Sequence, residues 1–470
     1  MLLAIVILTH LLGAGSALSA IFTARTPQGA VAWSLALLFI PYLAVPAYWL
    51  LGASRFEGYV KARRHGTSAL NNRMAPILGK IRACRAGGYL EDGDAILAAE
   101  RLARLPILGG NATQLLVDGE ATFESLFAGI EEAKRSVVVQ FYIIRDDNLG
   151  RELQRRLIEK ARAGIAVHVL FDKIGSHGLP RRYLRELESA GVDVHPFRST
   201  RVGRPTRFQI NFRNHRKVVV VDGRVGWVGG LNVGDEYLGR DPDVGAWRDT
   251  HLRVEGPAAL ALQLAFVEDW YWATETVPEL SWEPRKAGGE GVLILPSGPA
   301  DEVATAGLLM QVAFHSATRR IWLASPYLVP DDAVVEALKL AAFRGVEVRI
   351  LTPHHSDSRL VDLARYPVME RLVSHGVRVH FYTEGFLHAK VVLVDDRVAG
   401  VGTVNLDHRS FRLNFEITAL LFDPGAVGSV ASSFERDFLR SREVSREELE
   451  ARSFPLRAVS RAAHLFAPML

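Results

Sequence analysis

Asn214-His215-Arg216-Lys217-Val218-Val219-Val220-Val221-Asp222, followed by Gly229-Gly230-Leu231-Asn232, returns as Leu387-His388-Ala389-Lys390-Val391-Val392-Leu393-Val394-Asp395, followed by Gly402-Thr403-Val404-Asn405. Both stretches read H-x-K-x4-D-x6-G-x2-N, and each of the five residues is displaced by 173 positions. Alternate side chains of a strand share a face. His and Lys, two apart, therefore point the same way, while the branched apolar run behind them fills a core. Two matches in register mark a duplication.

The flanks repeat in the same order. Before the first copy the pattern predicts helix 120–135, strand 137–144, helix 151–163, strand 165–172, helix 179–190 and strand 192–197; strands 217–222 and 225–230 close it. Before the second come helix 302–318, strand 321–326, helix 332–343, strand 346–353, helix 366–375 and strand 377–382; strands 390–395 and 398–403 follow. Continuous apolar runs between helical patterns predict buried, largely parallel strands in layered α/β domains. The predicted domains are 106–272 and 293–450, packed face to face, with a Glu-, Pro-, Gly- and Trp-containing linker at 273–292. The segment before the first motif is longer than its counterpart. Its extra stretch, Arg198–Lys217 with Phe208 and Phe212, is basic and reads as a wall that meets anionic lipid.

Two motif edges facing one another would gather two imidazoles and two ammonium groups, a set suited to a phosphodiester. One of His215 and His388 attacks phosphorus; the other protonates the leaving alkoxide and then deprotonates the next acceptor. The sequence leaves open which does which. Lys217, Lys390, Asn232 and Asn405 are expected to neutralise and bridge the phosphoryl oxygens. Each imidazole needs a partner to fix its tautomer, and Asp249 and Glu416 occupy similar places after the two motifs. Asp222 and Asp395 complete the catalytic motif but end their strands, where they brace the site rather than move protons. His195 and His380 read as structural. No metal is expected, because lysine is a poor ligand and the Asp146-Asp147, Asp331-Asp332 and Asp395-Asp396 pairs sit where caps and turns explain them. No phosphate-loop or dinucleotide fingerprint occurs, so no cofactor is expected.

The chain has 470 residues, 49% hydrophobic and 23% charged, which excludes wholesale disorder. Its single cysteine, Cys84, excludes an internal disulfide. Residues 2–22 and 30–52 contain no Asp, Glu, Lys or Arg. Each run is long enough for a hydrocarbon core of roughly 30 Å, and the short reversal between them predicts a transmembrane hairpin over 1–54. Residues 53–85 carry eight basic side chains (Arg55, Lys61, Arg63, Arg64, Arg73, Lys80, Arg82 and Arg85) against one acid, Glu57. That excess places the rest of the chain on the cytoplasmic side, with 55–105 as a basic juxtamembrane linker. Asn111-Ala112-Thr113 is then a chance glycosylation triplet. The tail 451–470 has three arginines and no acid among apolar residues, the pattern of an interfacial amphipathic helix.

The doubled motif resembles the phospholipase D superfamily, and within it the bacterial cardiolipin synthase family. Asn214-His215-Arg216-Lys217, Gly229-Gly230-Leu231-Asn232-Val233-Gly234-Asp235-Glu236-Tyr237 and Trp247-Arg248-Asp249-Thr250-His251 are similar to that family's first-half signature. Gly402-Thr403-Val404-Asn405-Leu406-Asp407-His408-Arg409-Ser410-Phe411 with Asn414-Phe415-Glu416 is similar to its second. Arg25-Thr26-Pro27, Ala32-Trp33, Pro41 and Tyr48 resemble its membrane segment. The likeness covers essentially the whole chain; Val404 departs, where the family has a smaller residue. The resemblance implies two phospholipase D-like α/β domains and a phosphatidyltransferase that joins two phosphatidylglycerols into cardiolipin and glycerol through a phosphohistidine. It implies His215 as nucleophile and His388 as acid/base, phospholipid and the bilayer as partners, no nucleic acid, and a multi-pass place in a bacterial inner membrane. A hydrolytic phospholipase D, with water as acceptor, and a membrane-anchored phosphodiesterase or nuclease are the alternatives.

Overall fold

The computed structural model describes residues 2–24, 27–52, 67–88, 93–198, 211–242 and 245–470. The basic residues Arg25, Arg55, Lys61, Arg63 and Arg64, and most of the basic insertion including Phe208, lie outside the described residues.

The two halves build one sixteen-stranded mixed sheet. Outward from its middle, the first half runs Leu108–Val117, Thr250–Glu255, Val225–Gly229, Val218–Val221, Ser136–Phe141, Ala166–Asp172, Asp193–Phe197. The second half repeats that order as Glu290–Ser297, Asn414–Leu421, Val398–Gly402, Val391–Val394, Arg320–Ala324, Glu347–Pro353, Arg378–Tyr382, with Ser441–Glu443 added at its edge. Leu108–Val117 and Glu290–Ser297 pair antiparallel and join the halves. Glu290–Ser297 also pairs with Asn414–Leu421, so the last residues of the 273–292 stretch already belong to the sheet.

The expectation of largely parallel strands needs correction. Among the long strands described, parallel pairing is confined to Ser136–Phe141, Ala166–Asp172 and Asp193–Phe197 in the first half and Arg320–Ala324, Glu347–Pro353 and Arg378–Tyr382 in the second. The motif strands are antiparallel to both neighbours. Helices join the outer strands and permit parallel pairing, whereas three residues separate Val221 from Val225, which only a hairpin can bridge. Asp222 and Asp395 turn those hairpins in the left-handed region, at φ 55° and 53°, a conformation Asp tolerates better than most residues.

The helix Pro257–Thr274 has no polar face, and fourteen of its eighteen residues are buried. The sheet covers one side, while Met74, Ile81, Ile96, Ala99 and Ala103 join the core it belongs to. The helices Thr67–Arg82 and Asp94–Ala103 are therefore folded onto the catalytic body rather than forming a free linker.

The membrane segment also differs from the expected hairpin. Leu2–Thr23 is one helix of 22 residues, apolar and long enough to cross a bilayer. The second apolar run breaks at Ile40 (φ −132°, ψ 49°) into Pro27–Phe39 and Pro41–Leu51. Pro41 has no N–H to donate and disfavours helical backbone at the residue before it. The last helix doubles back: the Trp33 and Tyr48 rings meet at 5.2 Å. Trp49 Nε1 donates to Ser16 Oγ at 3.1 Å, and His10 meets Tyr42 at 5.6 Å. The two short helices are about 20 and 17 Å long, less than a hydrocarbon core.

Candidate active site

Each motif histidine is held by the other half of the chain. The two-residue strand Arg213–Asn214 runs parallel to Asn414-Phe415, and His215 N–H donates to Phe415 O at 2.9 Å. Reciprocally, Phe386–Leu387 runs parallel to Trp247–Arg248, and His388 N–H donates to Arg248 O at 2.7 Å. One residue after each acceptor stands the carboxylate that meets the imidazole. His215 Nδ1 lies 2.9 and 3.1 Å from the Glu416 oxygens. His388 Nδ1 lies 2.8 Å from Asp249 Oδ2. Asp249 and Glu416, expected as tautomer partners, thus serve across the interface. Both are fully buried, and the imidazoles are 8% and 7% exposed.

The carboxylates are themselves held ionised. Burial alone would raise them, but His388, Lys390 and the Thr250 N–H bring Asp249 below its usual range. His215, Lys217 and the Thr403 hydroxyl, which donates at 2.5 Å, do so for Glu416. Burial pushes both histidines down to about 4; the carboxylates oppose the shift and the lysines reinforce it. At neutral pH both imidazoles are uncharged. With Nδ1–H given to a carboxylate, Nε2 carries a lone pair.

The lysines differ. Lys217 turns its ammonium to His215 O at 2.7 Å and over the Tyr142 ring at 5.3 Å. Tyr142 in turn meets the His215 ring edge-on at 5.0 Å. Lys390 likewise donates to His388 O, at 2.5 Å, and also sits against the His388 ring, 2.7 Å from Nδ1 and 3.0 Å from Nε2. Burial lowers both, Lys390 to about 8.

The fold does not bring every expected residue to the histidines. Asp222 accepts the N–H groups of Lys134, Arg135 and Ser136, and Asp395 those of Thr318, Arg319 and Arg320. Both stand seven residues from their histidine, roughly 23 Å along extended chain, and cap the start of a neighbouring strand. Asn232 spends its amide on Ile143 N–H and Tyr237 OH. Asn405 is buried, and its Oδ1 has no hydrogen-bond partner among the described residues. His195 pairs with Asp193 and, like His168, meets Trp270 edge-on; His380 lies on Phe438.

Other residues join the site without having been singled out. Arg216, between His215 and Lys217, faces the opposite way. It pairs with buried Asp269 at 2.9 Å and donates to Glu416 O at 3.0 Å. Arg248 does the matching work with Asp437 at 2.7 Å. Their signal was position alone, beside a histidine and beside its acid. His251 is buried, takes Leu231 N–H on Nδ1 at 3.3 Å, and is pushed to about 3 by burial. Among the described residues no three His, Cys, Asp or Glu side chains are grouped as metal ligands.

A family described as cardiolipin synthase, phospholipase D-like domain, matches residues 126–261 and 310–438, one match per half. Cardiolipin synthase A of Pseudomonas putida is 47% identical over 467 residues, covering 98% of this chain and 97% of that protein. Cardiolipin synthase A of Pseudomonas fluorescens is 45% identical over 473 residues, covering 99% and 98%. The crystal structure of phosphatidylserine synthase from Haemophilus influenzae aligns over 80% of this chain and all of that one, with a TM-score of 0.63. At 14% identity, that is a likeness of fold. A doubled domain match and near-half identity along almost the whole length place the two crossed His–carboxylate pairs in a known setting: the chain belongs to the cardiolipin synthase family of phospholipase D-like proteins.

Proposed function

We propose that this chain transfers a phosphatidyl group from one phosphatidylglycerol to another, giving cardiolipin and glycerol. The observation that carries the reading is the reciprocal pairing: two neutral imidazoles, each fixed by a buried carboxylate of the other half, with two lysines beside them. A phosphodiester between them meets a nucleophile on one side and a proton carrier on the other. In a desolvated pocket the lysines act on the developing phosphoryl charge with little screening.

The two Nε2 atoms support a division of labour. Among the described residues no side chain hydrogen-bonds to His215 Nε2, whereas Lys390 Nζ lies 3.0 Å from His388 Nε2. His215 is therefore the nucleophile. The anionic phosphodiester, once bound beside His388, favours a proton on its Nε2. His215 Nε2 then forms a bond to phosphorus as the bond to the glycerol oxygen breaks, and that oxygen takes the proton from His388 Nε2. Lys390, in contact with the His388 ring, keeps a proton within reach of it. In the second step His388 takes the proton of the acceptor's terminal hydroxyl. The new P–O bond forms, the P–N bond breaks, and His215 returns to its neutral state. Asp249 and Glu416 hold the tautomers. Asp222, Asp395 and Asn232 support the scaffold.

Leu2–Thr23 anchors the enzyme in the membrane, with the catalytic body on the cytoplasmic face. Because the second apolar run doubles back, this anchor crosses once and is followed by a re-entrant helix pair. The test is the protein in detergent with phosphatidylglycerol and excess EDTA, following lipids by mass spectrometry and glycerol by a coupled assay. Cardiolipin and glycerol are expected one for one. Phosphatidic acid in their place would make the chain a hydrolase, and no lipid turnover would overturn the reading.

A further inference from the structure

The helix Phe454–His464 and the turn Ala467–Met469 are docked on the second half through a narrow strip. Ala463 and Ala467 are buried with Val329, Val361 and Ala364, and His464 Nδ1 meets Ala364 O at 3.0 Å. Arg452 lies over the Tyr366 ring at 3.3 Å. Small side chains fill the strip, and the large ones face outward. Phe454 is 82% exposed, Leu465 80%, Phe466 52%, Val459 51%, and Leu456 and Met469 41% each. This apolar surface has no partner among the described residues. Arg457 and Arg461 stand on the same helix, and residues 451–470 carry no acid.

The segment is also tied to the catalytic machinery. Arg409 donates to Met469 O at 3.1 Å, and its backbone N–H to Leu470 O at 3.3 Å. The same guanidinium donates to Asn211 Oδ1 at 2.8 Å and to Asn211 O at 2.7 Å. Asn211 stands four residues before His215. One half-buried arginine therefore joins the exposed apolar segment to the stretch that leads into His215.

We infer that residues 454–470 form a second membrane contact, distinct from the N-terminal helix, which lays the catalytic body on an anionic bilayer. Six large apolar groups with arginines and no acid match a surface of anionic headgroups over acyl chains. A protein partner would not call for that one-signed charge. The Arg409 bridge makes this contact part of the approach of lipid to His215. That consequence rests on the phospholipid reading above; the contact itself does not.

The test uses the full chain in vesicles. Cys84→Ser removes the one native thiol, and Phe466→Cys carries an environment-sensitive fluorophore, with Ser189→Cys as the exposed polar control. In vesicles containing phosphatidylglycerol, the label at 466 is expected to shift to the blue. Quenching by nitroxide-bearing lipid should exceed the control by about threefold or more, with both effects reduced by Arg457→Glu plus Arg461→Glu. A label at 466 that behaves like the one at 189 overturns the inference. The double variant Val459→Asp plus Phe466→Asp should turn over monodisperse short-chain phosphatidylglycerol at the wild-type rate. On vesicles it should lose about three- to tenfold; equal loss on both forms also overturns the inference. Membrane contact by fluorescence without any lipid turnover by the unaltered chain would sink the phospholipid reading and leave the contact standing.

Discussion

The two halves carry the same motif and present it differently. In both, the lysine donates to the carbonyl of its own histidine; in the first, Lys217 also faces the Tyr142 ring, and in the second, Lys390 also lies against the imidazole. In the first, Arg216 backs the histidine through Asp269; in the second, Ala389 holds that place and Arg248 of the other half braces Asp437. Asn232 is bonded on both ends of its amide, while Asn405 keeps a buried oxygen without a partner among the described residues. Duplication supplied two equal sets of groups. The packing around them leaves His215 Nε2 without a side-chain hydrogen bond among the described residues and puts Lys390 Nζ 3.0 Å from His388 Nε2, and the proposed roles of nucleophile and proton carrier rest on that difference.

The sharpest way to break this comparison is the leaving group. His215→Ala and His388→Ala are each expected to lose ~10³-fold or more of transfer from phosphatidylglycerol. A phosphatidyl ester of p-nitrophenol needs no proton on departure. It should restore a burst of nitrophenol in His388→Ala and leave His215→Ala without one. The reverse pattern would exchange the roles. Next come the crossed carboxylates. Glu416→Gln and Asp249→Asn should each lower kcat by about 10²- to 10⁴-fold, through loss of the fixed tautomer. Glu416→Gln should match the His215 variant in the burst assay, although Glu416 belongs to the second half.

The lysine difference is read from pH. Activity should rise as pH passes upward through about 4, where the imidazoles lose their protons. It should fall as pH passes through about 8, where Lys390 loses its ammonium. Lys390→Arg should carry that upper limb to higher pH, and Lys217→Arg should leave it in place. Thermal unfolding compares the braces. Arg216→Met and Arg248→Met each leave a buried carboxylate uncompensated, at about 3–5 kcal/mol, and the two losses in Tm should be similar. Asp222→Asn and Asp395→Asn should cost least, about 1–3 kcal/mol for the strand-start N–H groups they cap. Their kcat should be unchanged below the transition; a large kcat loss would return those carboxylates to the chemistry.

Much of this was legible from local pattern. The Val218–Val221 and Val391–Val394 runs gave the motif strands, and the spacing gave the side-chain face. The strands Leu108–Val117 and Glu290–Ser297, which join the halves, were not read. Gly109, Gly110 and Asn111 interrupt the first, and the second follows a stretch rich in Gly and Pro, so neither has a clean period. The helix Pro257–Thr274 escaped for the opposite reason: it is apolar on all sides, which removes the amphipathic signature. The second apolar run was read by length, and length is blind to a reversal at Ile40–Pro41.

The sequence by itself determined the duplication, the kinds of groups that meet and the apolar anchor, because each is a matter of residue type and spacing along the chain. Only the tertiary structure decided that His215 belongs with Glu416 and His388 with Asp249. Those partners lie 201 and 139 residues apart, and no local period records which strand of one half will lie beside which of the other. It also decided that the imidazoles rest neutral and that Lys390, unlike Lys217, lies against its imidazole, since both follow from the burial and charge that surround a side chain once the chain has closed around it.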